Sequence, residues 1–518
     1  MKLRRALTIL LSLSLVLLAT PSTFAQDLER RPVENLMHDV SSVVPADWQD
    51  LGGGAYARGT PPEDQAVVAI QAAAATPDQL WSALLPRFAL TETPEATDSY
   101  NSELFDWTIY DFSVQLGEAV ISVGLALAEN DGVTSLVLLQ SAPEEYDILR
   151  EQVLLPAIDA FAPLAPEPTP DPSAFDYQIE EIAFPGGSED VELAGTLTLP
   201  NGPGPHPVVI TMTGSGPQDR NESLKPITLL EPFAVIADAL TSAGVGVLRY
   251  DDRGVGGSTG DYNAATVQEL AEDARAAIDY LETRDDVDPE RLGLFGHSEG
   301  GLYAAILGAS DPRVAYIGMM APAVIDGVSL IVEQNVALTR SAGASEEQVQ
   351  ATGEWTAEAM PYAVSGDFEA LEESTRALYG RLWDEMTPED RELAGERETF
   401  IQLQLDAQMP IYTSDWYRSL LGYDPTEDWA QVDVPVLGIF GGKDVQVIAE
   451  SNEAALLETL QDAGNEDVAT LTFPDANHLF QEAVTGAFAE YAELEPEFID
   501  GFVEAIVDWM AVRAGVTE

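Results

Sequence analysis

The chain of 518 residues contains no cysteine. Disulfides, thiol nucleophiles, iron–sulfur clusters and cysteine zinc sites are thereby excluded, as is a lipoprotein anchor. Positive charge is nearly as scarce: 24 Lys plus Arg face 89 Asp plus Glu, for a formal net charge of −65, and lysine occurs only at Lys2, Lys225 and Lys443. Phosphate backbones and anionic lipid surfaces would be repelled by such a surface, so nucleic acid is not an expected partner. Histidine is the third shortage. His38, His206, His297 and His478 are the whole supply, no two stand at a metal-ligand spacing, and a reaction that needs an imidazole must choose among them.

Apolar residues are plentiful, at 46% hydrophobic and 8% aromatic, which is incompatible with a disordered acidic tail. Domains run to about 100–200 residues, so this length suggests two or three units. Met1–Ala25 carries Lys2, Arg4 and Arg5, a leucine-rich run from Leu7 to Ala19, and Thr23-Phe24-Ala25 before Gln26. This is the layout of a secretory signal, its apolar run shorter than the ~20 residues a membrane span needs. The mature chain is expected to be secreted or periplasmic, with no span left after cleavage. Prolines at 163, 166, 168, 170 and 172 enforce an extended backbone and mark 163–174 as a stiff spacer.

Before the spacer, residues 26–162 read as a small α+β accessory domain. Pro77 to Phe88 has helical patterning, Phe105–Val114, Glu118–Ala128 and Val133–Leu139 read as an antiparallel meander, and Tyr146–Phe161 reads as a closing helix with Ile148, Val153, Leu154, Ile158 and Phe161 near one face. After it, residues 175–518 alternate strands and helices. Strands are expected at Tyr177–Phe184, Val191–Leu199, Pro207–Met212, Val245–Tyr250, Arg291–Phe295, Val314–Met320, Val434–Phe440 and Ala469–Phe473. The helix opened by Pro232 and the one carrying Val267, Leu270, Ala274, Ala277, Ile278 and Leu281 fall between strands, which implies a mostly parallel sheet with helices on both faces. From about 321 to 431 helices are expected at Glu346–Met360, Asp367–Met386 and Arg391–Met409, a lid whose Trp355, Trp383, Trp416 and Trp429 could wall a pocket. Ile448–Leu460 and Pro496–Val512 complete the helices.

Gly296-His297-Ser298-Glu299-Gly300 sits between a strand and a helical run. A serine at the tip of such a turn is exposed on a strained backbone that needs small neighbours, and the following N–H, of Glu299, faces a developing oxyanion. The hydroxyl needs an imidazole base. His297 lies within the turn, His206 precedes a strand and His38 is far upstream, which leaves His478 after the last strand. Its orienting carboxylate is expected to be Asp444, which follows the penultimate strand, with Asp475 as the competitor. The second oxyanion donor is expected in Gly214-Ser215-Gly216, at Ser215. No metal or other cofactor is implied.

Gly214-Ser215-Gly216-Pro217-Gln218-Asp219-Arg220, Tyr250-Asp251-Asp252-Arg253-Gly254-Val255-Gly256, the Ser298 turn, Gly441-Gly442-Lys443-Asp444-Val445-Gln446-Val447 and Asn477-His478-Leu479-Phe480-Gln481 together resemble a family of secreted bacterial α/β-hydrolase esterases, related to the serine aminopeptidase-like and dienelactone hydrolase-like groups. Trp416 with Gly422-Tyr423-Asp424-Pro425, and Thr485-Gly486 with Glu490-Tyr491, fit the same family. The likeness spans about Phe175 to Val512. It departs at Gly442, where an acidic residue is common. The resemblance implies an α/β-hydrolase fold and a cofactor-free hydrolase acting on small-molecule carboxylic esters. Two other readings stand beside it: an exopeptidase or amidase in which Glu299 meets a substrate amine, and a surface-binding protein with a vestigial hydrolase domain.

Overall fold

The computed structural model describes residues 28–516 apart from 37, 60–65, 74, 86–87, 89, 91, 117–118, 131, 165–174, 226, 388–390, 392–393 and 395. The expected signal segment and most of the proline spacer lie outside the described residues. Internal packing divides the chain into two units, one of Met1–Pro170 with Lys225–Leu229 and Met386–Arg397, the other of Asp171–Leu224, Leu230–Glu385 and Glu398–Glu518.

The N-terminal unit is more strand-rich than its sequence suggests. Its seven-stranded antiparallel sheet runs in the order 49–52, 55–57, 67–73, 133–141, 119–130, 106–116, 98–101, so the expected meander is its half, and four strands escaped the patterning. Alternation along Asp106–Leu116 sends Trp107 and Ile109 to one core and Val114 to another, the latter shared with Leu80, Trp81 and Leu84 of the helix Pro77–Leu84. The closing helix is broken. A π-turn at Arg150–Leu154 interrupts it before Leu155–Asp159, and Pro156 has no N–H to donate to the Gln152 carbonyl four residues back. That oxygen accepts instead from Arg30 Nε and Nη2, at 3.1 and 3.0 Å. The wider turn shifts the helical phase, so Ile148, expected on the buried face, is 43% exposed. Pro163 and Leu164, which the proline spacing assigns to the spacer, are still bonded to a second, three-stranded sheet of this unit, in which Val40–Pro45 lies between Arg30–Asn35 and Ala162–Pro163: Ala162–Pro163 pairs with Val40–Ser41, and the Leu164 N–H donates to the Asp39 carbonyl.

The second unit is built on an eight-stranded sheet. In chain order its strands are β1 (Tyr177–Pro185), β2 (Glu192–Pro200), β3 (His206–Met212), β4 (Gly246–Tyr250), β5 (Val287–His297), β6 (Val314–Met320), β7 (Val436–Gly441) and β8 (Val468–Phe473). They lie side by side as 1-2-4-3-5-6-7-8. β2 is antiparallel to both β1 and β4, and every later pairing is parallel. The carboxyl ends of β3 to β8 therefore share one edge.

Helices cover both faces because alternate strand residues are apolar on both. These helices are α1 (Pro232–Ser242), α2 (Val267–Glu282), α3 (Gly300–Ser310), then α4 (Gly327–Ser341), α5 (Glu346–Ser365), α6 (Phe368–Glu385), α7 (Arg397–Tyr412), α8 (Asp415–Leu421) and α9 (Thr426–Trp429) between β6 and β7, followed by α10 (Ala449–Ala463) and α11 (Phe502–Arg513). Val208 and Ile210 of β3 pack in one layer with Leu270, Ala274 and Ile278 of α2, while Val209 joins Phe233 and Ile236 of α1 and Ile506 and Met510 of α11 in the other. α2 begins where its sequence says it must: Thr266 and Glu269 form a capping box. The insertion α4–α9 has a small core of its own, including Ile331, Trp355, Met360, Leu371 and Leu421, whereas Trp429 is buried in the sheet's core.

Several helix boundaries differ from expectation, among them that of α5, which runs to Ser365 rather than Met360. α7 starts at Arg397 rather than Arg391 and runs to Tyr412. α11 starts at Phe502, not Pro496, because Gly501 adopts φ 85° and the Ile499 N–H donates to the Phe480 carbonyl at 2.7 Å. That segment braces the loop after β8. Phe480 stacks on Phe502 with ring centroids 4.1 Å apart at 17°, both fully buried. Phe502→Ala is expected to cost about 3–5 kcal/mol through the cavity it leaves, read as a lowered urea midpoint for the transition of this unit.

Candidate active site

The turn after β5 is strained. Ser298 has φ 53°, a left-handed conformation that a non-glycine residue holds at a cost of about 1–3 kcal/mol. The surroundings over-determine it: the Ser298 N–H donates to the Met320 carbonyl at 3.0 Å, and its own carbonyl accepts from Gly301 and Ala323. The flanking glycines are steric necessities. A Cβ on Gly300 would lie 2.2 Å from the Met212 oxygen, and one on Gly296 2.4 Å from the Gly300 oxygen.

His478 and Asp444 come from loops at the carboxyl ends of β8 and β7. The His478 Nδ1 lies 2.7 Å from Asp444 Oδ2. Asp444 Oδ1 accepts the N–H groups of Gln446 and Val447 at 2.7 and 3.0 Å, so the carboxylate cannot swing away. In this geometry Nδ1–H donates to the carboxylate, which leaves the lone pair on Nε2. Asp475 is elsewhere, its side chain 62% exposed and 3.5 Å from Lys443 Nζ. Gly442, the departure from the resembled motif, has a physical cause, since a Cβ there would lie 2.5 Å from the Pro474 oxygen.

The loop after β3 closes against Ser298. A Cβ on Gly214 would fall 3.3 Å from the Ser298 Cβ. Carboxylates anchor this loop: Asp252 accepts the Thr213 hydroxyl at 2.9 Å and the Gln218 N–H at 2.8 Å, and Asp251 takes the Arg220 guanidinium through Nε and Nη2 at 3.0 and 2.9 Å. The motifs around Arg220 and Asp251 are thus two halves of one buried fork. Among the described residues, no acceptor in the protein takes the N–H of Ser215 or of Glu299.

The Glu299 carboxyl is not presented to a substrate amine, contrary to one expectation. It is buried at 1% exposure, and its Oε1 accepts from Tyr303 Oη (2.7 Å), Trp416 Nε1 (2.8 Å) and Tyr262 Oη (3.4 Å). Burial pushes its pKa up, against hydrogen bonds from Tyr303, Trp416, Ser215 and Tyr262. Trp416, on α8, is consumed in this contact.

Sequence reasoning set His297 aside, yet it is central. Its Nδ1 lies 2.7 Å from Glu222 Oε1 and its Nε2 3.1 Å from the His478 carbonyl oxygen. Burial opposes its charge, but the Glu222 carboxylate, by charge and hydrogen bond, outweighs that and raises its pKa. No local spacing could have found Glu222, 75 residues away. His38 lies in the other unit, its Nδ1 3.0 Å from the Ala72 oxygen, and His206 opens β3 at the far end of the strand. Among the described residues no group of three His, Asp or Glu is placed to hold a metal ion, and no helix is long and apolar enough to cross a membrane.

Two substitutions test this geometry through stability alone. Gly300→Ala is expected to cost about 1–3 kcal/mol by overpacking, and Asp475→Asn to stay within about 0.5 kcal/mol, both measured as shifts in urea midpoint.

The family described as serine aminopeptidase, S33, matches residues 230–360. Esterase EstD of Thermotoga maritima is 26% identical over 374 residues, covering 72% of each chain. An uncharacterized protein of Mycobacterium tuberculosis, Rv2307c, is 42% identical over 84 residues, 16% of this chain and 29% of its own. The solved esterase of Pyrococcus furiosus overlays on 67% of this chain and 95% of its own at 14% identity and a TM-score of 0.39. With the 1-2-4-3-5-6-7-8 sheet and the glycine-flanked serine turn after β5, the chain has an α/β-hydrolase fold, and its likeness to EstD and to the S33 family makes it similar to the esterases of that fold.

Proposed function

We propose that the protein is a secreted serine carboxylesterase that cleaves small-molecule carboxylic esters through an acyl-enzyme on Ser298. The observation that carries the reading is the Asp444–His478 pair, 2.7 Å apart, on loops at the same sheet edge as the strained Ser298 turn. In this reading His478 Nε2 removes the Ser298 proton as Oγ attacks the ester carbonyl, and the N–H groups of Ser215 and Glu299 receive the oxyanion. Collapse of the tetrahedral intermediate breaks the ester C–O bond, and the alcohol leaves with the proton from His478. Water, deprotonated by the same imidazole, then releases the acid and restores Ser298. The basic and leucine-rich Met1–Ala25 segment supports export, with the mature protein beginning at Gln26.

The enclosure of Glu299 under Trp416 removes the one feature that favoured an amine-recognising peptidase. Ester hydrolysis is therefore the reading supported best, and it requires nothing but the side chains already described.

A fluorophosphonate probe is expected to label the wild type and not Ser298→Ala, with hydrolysis of a short-chain p-nitrophenyl ester lost in the same variant. Labelling that survives the substitution would overturn the nucleophile assignment. Asp444→Asn should lower kcat by roughly 10³–10⁴ and leave KM nearly unchanged, because the amide holds the wrong imidazole tautomer.

A further inference from the structure

We propose that Glu222 and a permanently protonated His297 form a buried ion pair that positions both the oxyanion loop and the His478 loop. The inference rests on the reading of Ser298 and His478 given above.

Both nitrogens of the His297 ring face acceptors. Nδ1 is 2.7 Å from a carboxylate oxygen and Nε2 is 3.1 Å from a backbone carbonyl. A neutral imidazole has one N–H and one lone pair, so in either tautomer one of these contacts would set a lone pair against an acceptor. Two N–H donors satisfy both. The Glu222 Oε1 that faces Nδ1 also accepts the Gly214 N–H at 2.8 Å, so this oxygen serves as an acceptor to both. The pair is then net neutral, and the site around it carries no uncompensated cation next to the His478 ring, whose centroid is 4.6 Å from that of His297. The remaining titratable group that bears on His297 is Asp444, whose negative charge acts in the same direction as Glu222.

The pair joins the three chain segments on which the chemistry depends. Glu222 holds Gly214, next to Ser215. His297 precedes Ser298 and holds the carbonyl of His478. Glu222 is fully buried and His297 nearly so, which makes each bond strong and each loss costly. The backbone at Glu222 is itself strained, at φ 61°. Its turn is held by Asp219, which accepts the N–H groups of Asn221 and Ser223 through Oδ1 and that of Glu222 through its carbonyl. A glutamate kept in a left-handed conformation to reach one oxygen toward the elbow is strain retained at a working position.

Glu222 and His297 are positioning residues, because neither is assigned contact with the substrate. Glu222→Gln keeps an acceptor of the same shape and removes only the charge. His297 would then be neutral, and its Nε2 would no longer hold the His478 carbonyl. The chain's four histidines make selective ¹⁵N-histidine labelling readable. In the wild type at pH 8 the His297 ring is expected to show two protonated nitrogens, and in Glu222→Gln only one. The same variant should lose about 10–100-fold in kcat, the cost of a displaced base, with KM within about twofold. His297→Phe should lose a similar factor, and the double variant little more than either alone, since the two act as a unit. A neutral His297 in the wild type at pH 8 would overturn the proposal, as would a Glu222→Gln enzyme with unchanged kcat. If Glu222→Gln does not fold, the wild-type ring spectrum still decides. If the wild type hydrolyses no ester, the reading of Ser298 fails while the protonation measurement stands separately.

Discussion

A single backbone angle governs the site. Ser298 at φ 53° lifts a hydroxyl off the end of a buried strand, and that conformation is tolerable only where nothing crowds the turn. Hence Gly296 and Gly300, each of which would place a Cβ within 2.4 Å of a backbone atom if substituted. Hence also the bonds from Ser298 to Met320 at the end of β6, Gly301 in α3 and Ala323 in the loop after β6, which hold a strained residue from three sides. β6 and α3 are therefore part of the support of the Ser298 turn as much as β5.

Carboxylates do most of the remaining positioning, in keeping with a chain so rich in them. Asp444 holds His478, Asp251 and Asp252 anchor the loop after β3, Glu222 ties that loop to the Ser298 turn through Gly214 and His297, and Glu299 draws Trp416 of α8 onto the start of α3. Buried anions of this kind are costly unless each oxygen finds donors. Here the donors are backbone N–H groups, an arginine fork, an indole and hydroxyls, while the second oxygens of Glu222 and Glu299 are buried with no hydrogen-bond partner among the described residues. An acidic composition that repels polyanions from the surface thus also supplies the acceptors that shape the interior.

The loop carrying His478 has a second, apolar anchor. Phe480 lies at φ 57° against Phe502, and Ile499 bonds its carbonyl. This is the reason α11 starts late: the residues from Pro496 to Gly501 give up helical bonds to pin the loop that carries His478 to the sheet. The histidine is therefore set from two sides, by a carboxylate at its ring and by an aromatic stack two residues on.

The hydrolase sheet was legible in the sequence because parallel strands buried on both faces read as apolar runs, and because glycine and proline mark their ends. Each of Ser298, Asp444 and His478 follows such a run, so their positions at strand ends, and their order, could be read without coordinates. The N-terminal sheet was only half legible. Short strands such as Ala55–Ala57 carry too few residues for a period to show, and the π-turn ahead of Pro156 moved Ile148 off the face its spacing assigned. What the sequence by itself determined was the set of local turns and the scarcity of imidazoles, both of which depend on residues near one another or on simple counting. Only the tertiary structure decided the partners of Glu299, the rejection of Asp475 and the Glu222–His297 pair. Those depend on side chains that meet across dozens of residues of intervening chain, and no spacing rule encodes which distant carboxylate a buried ring will find.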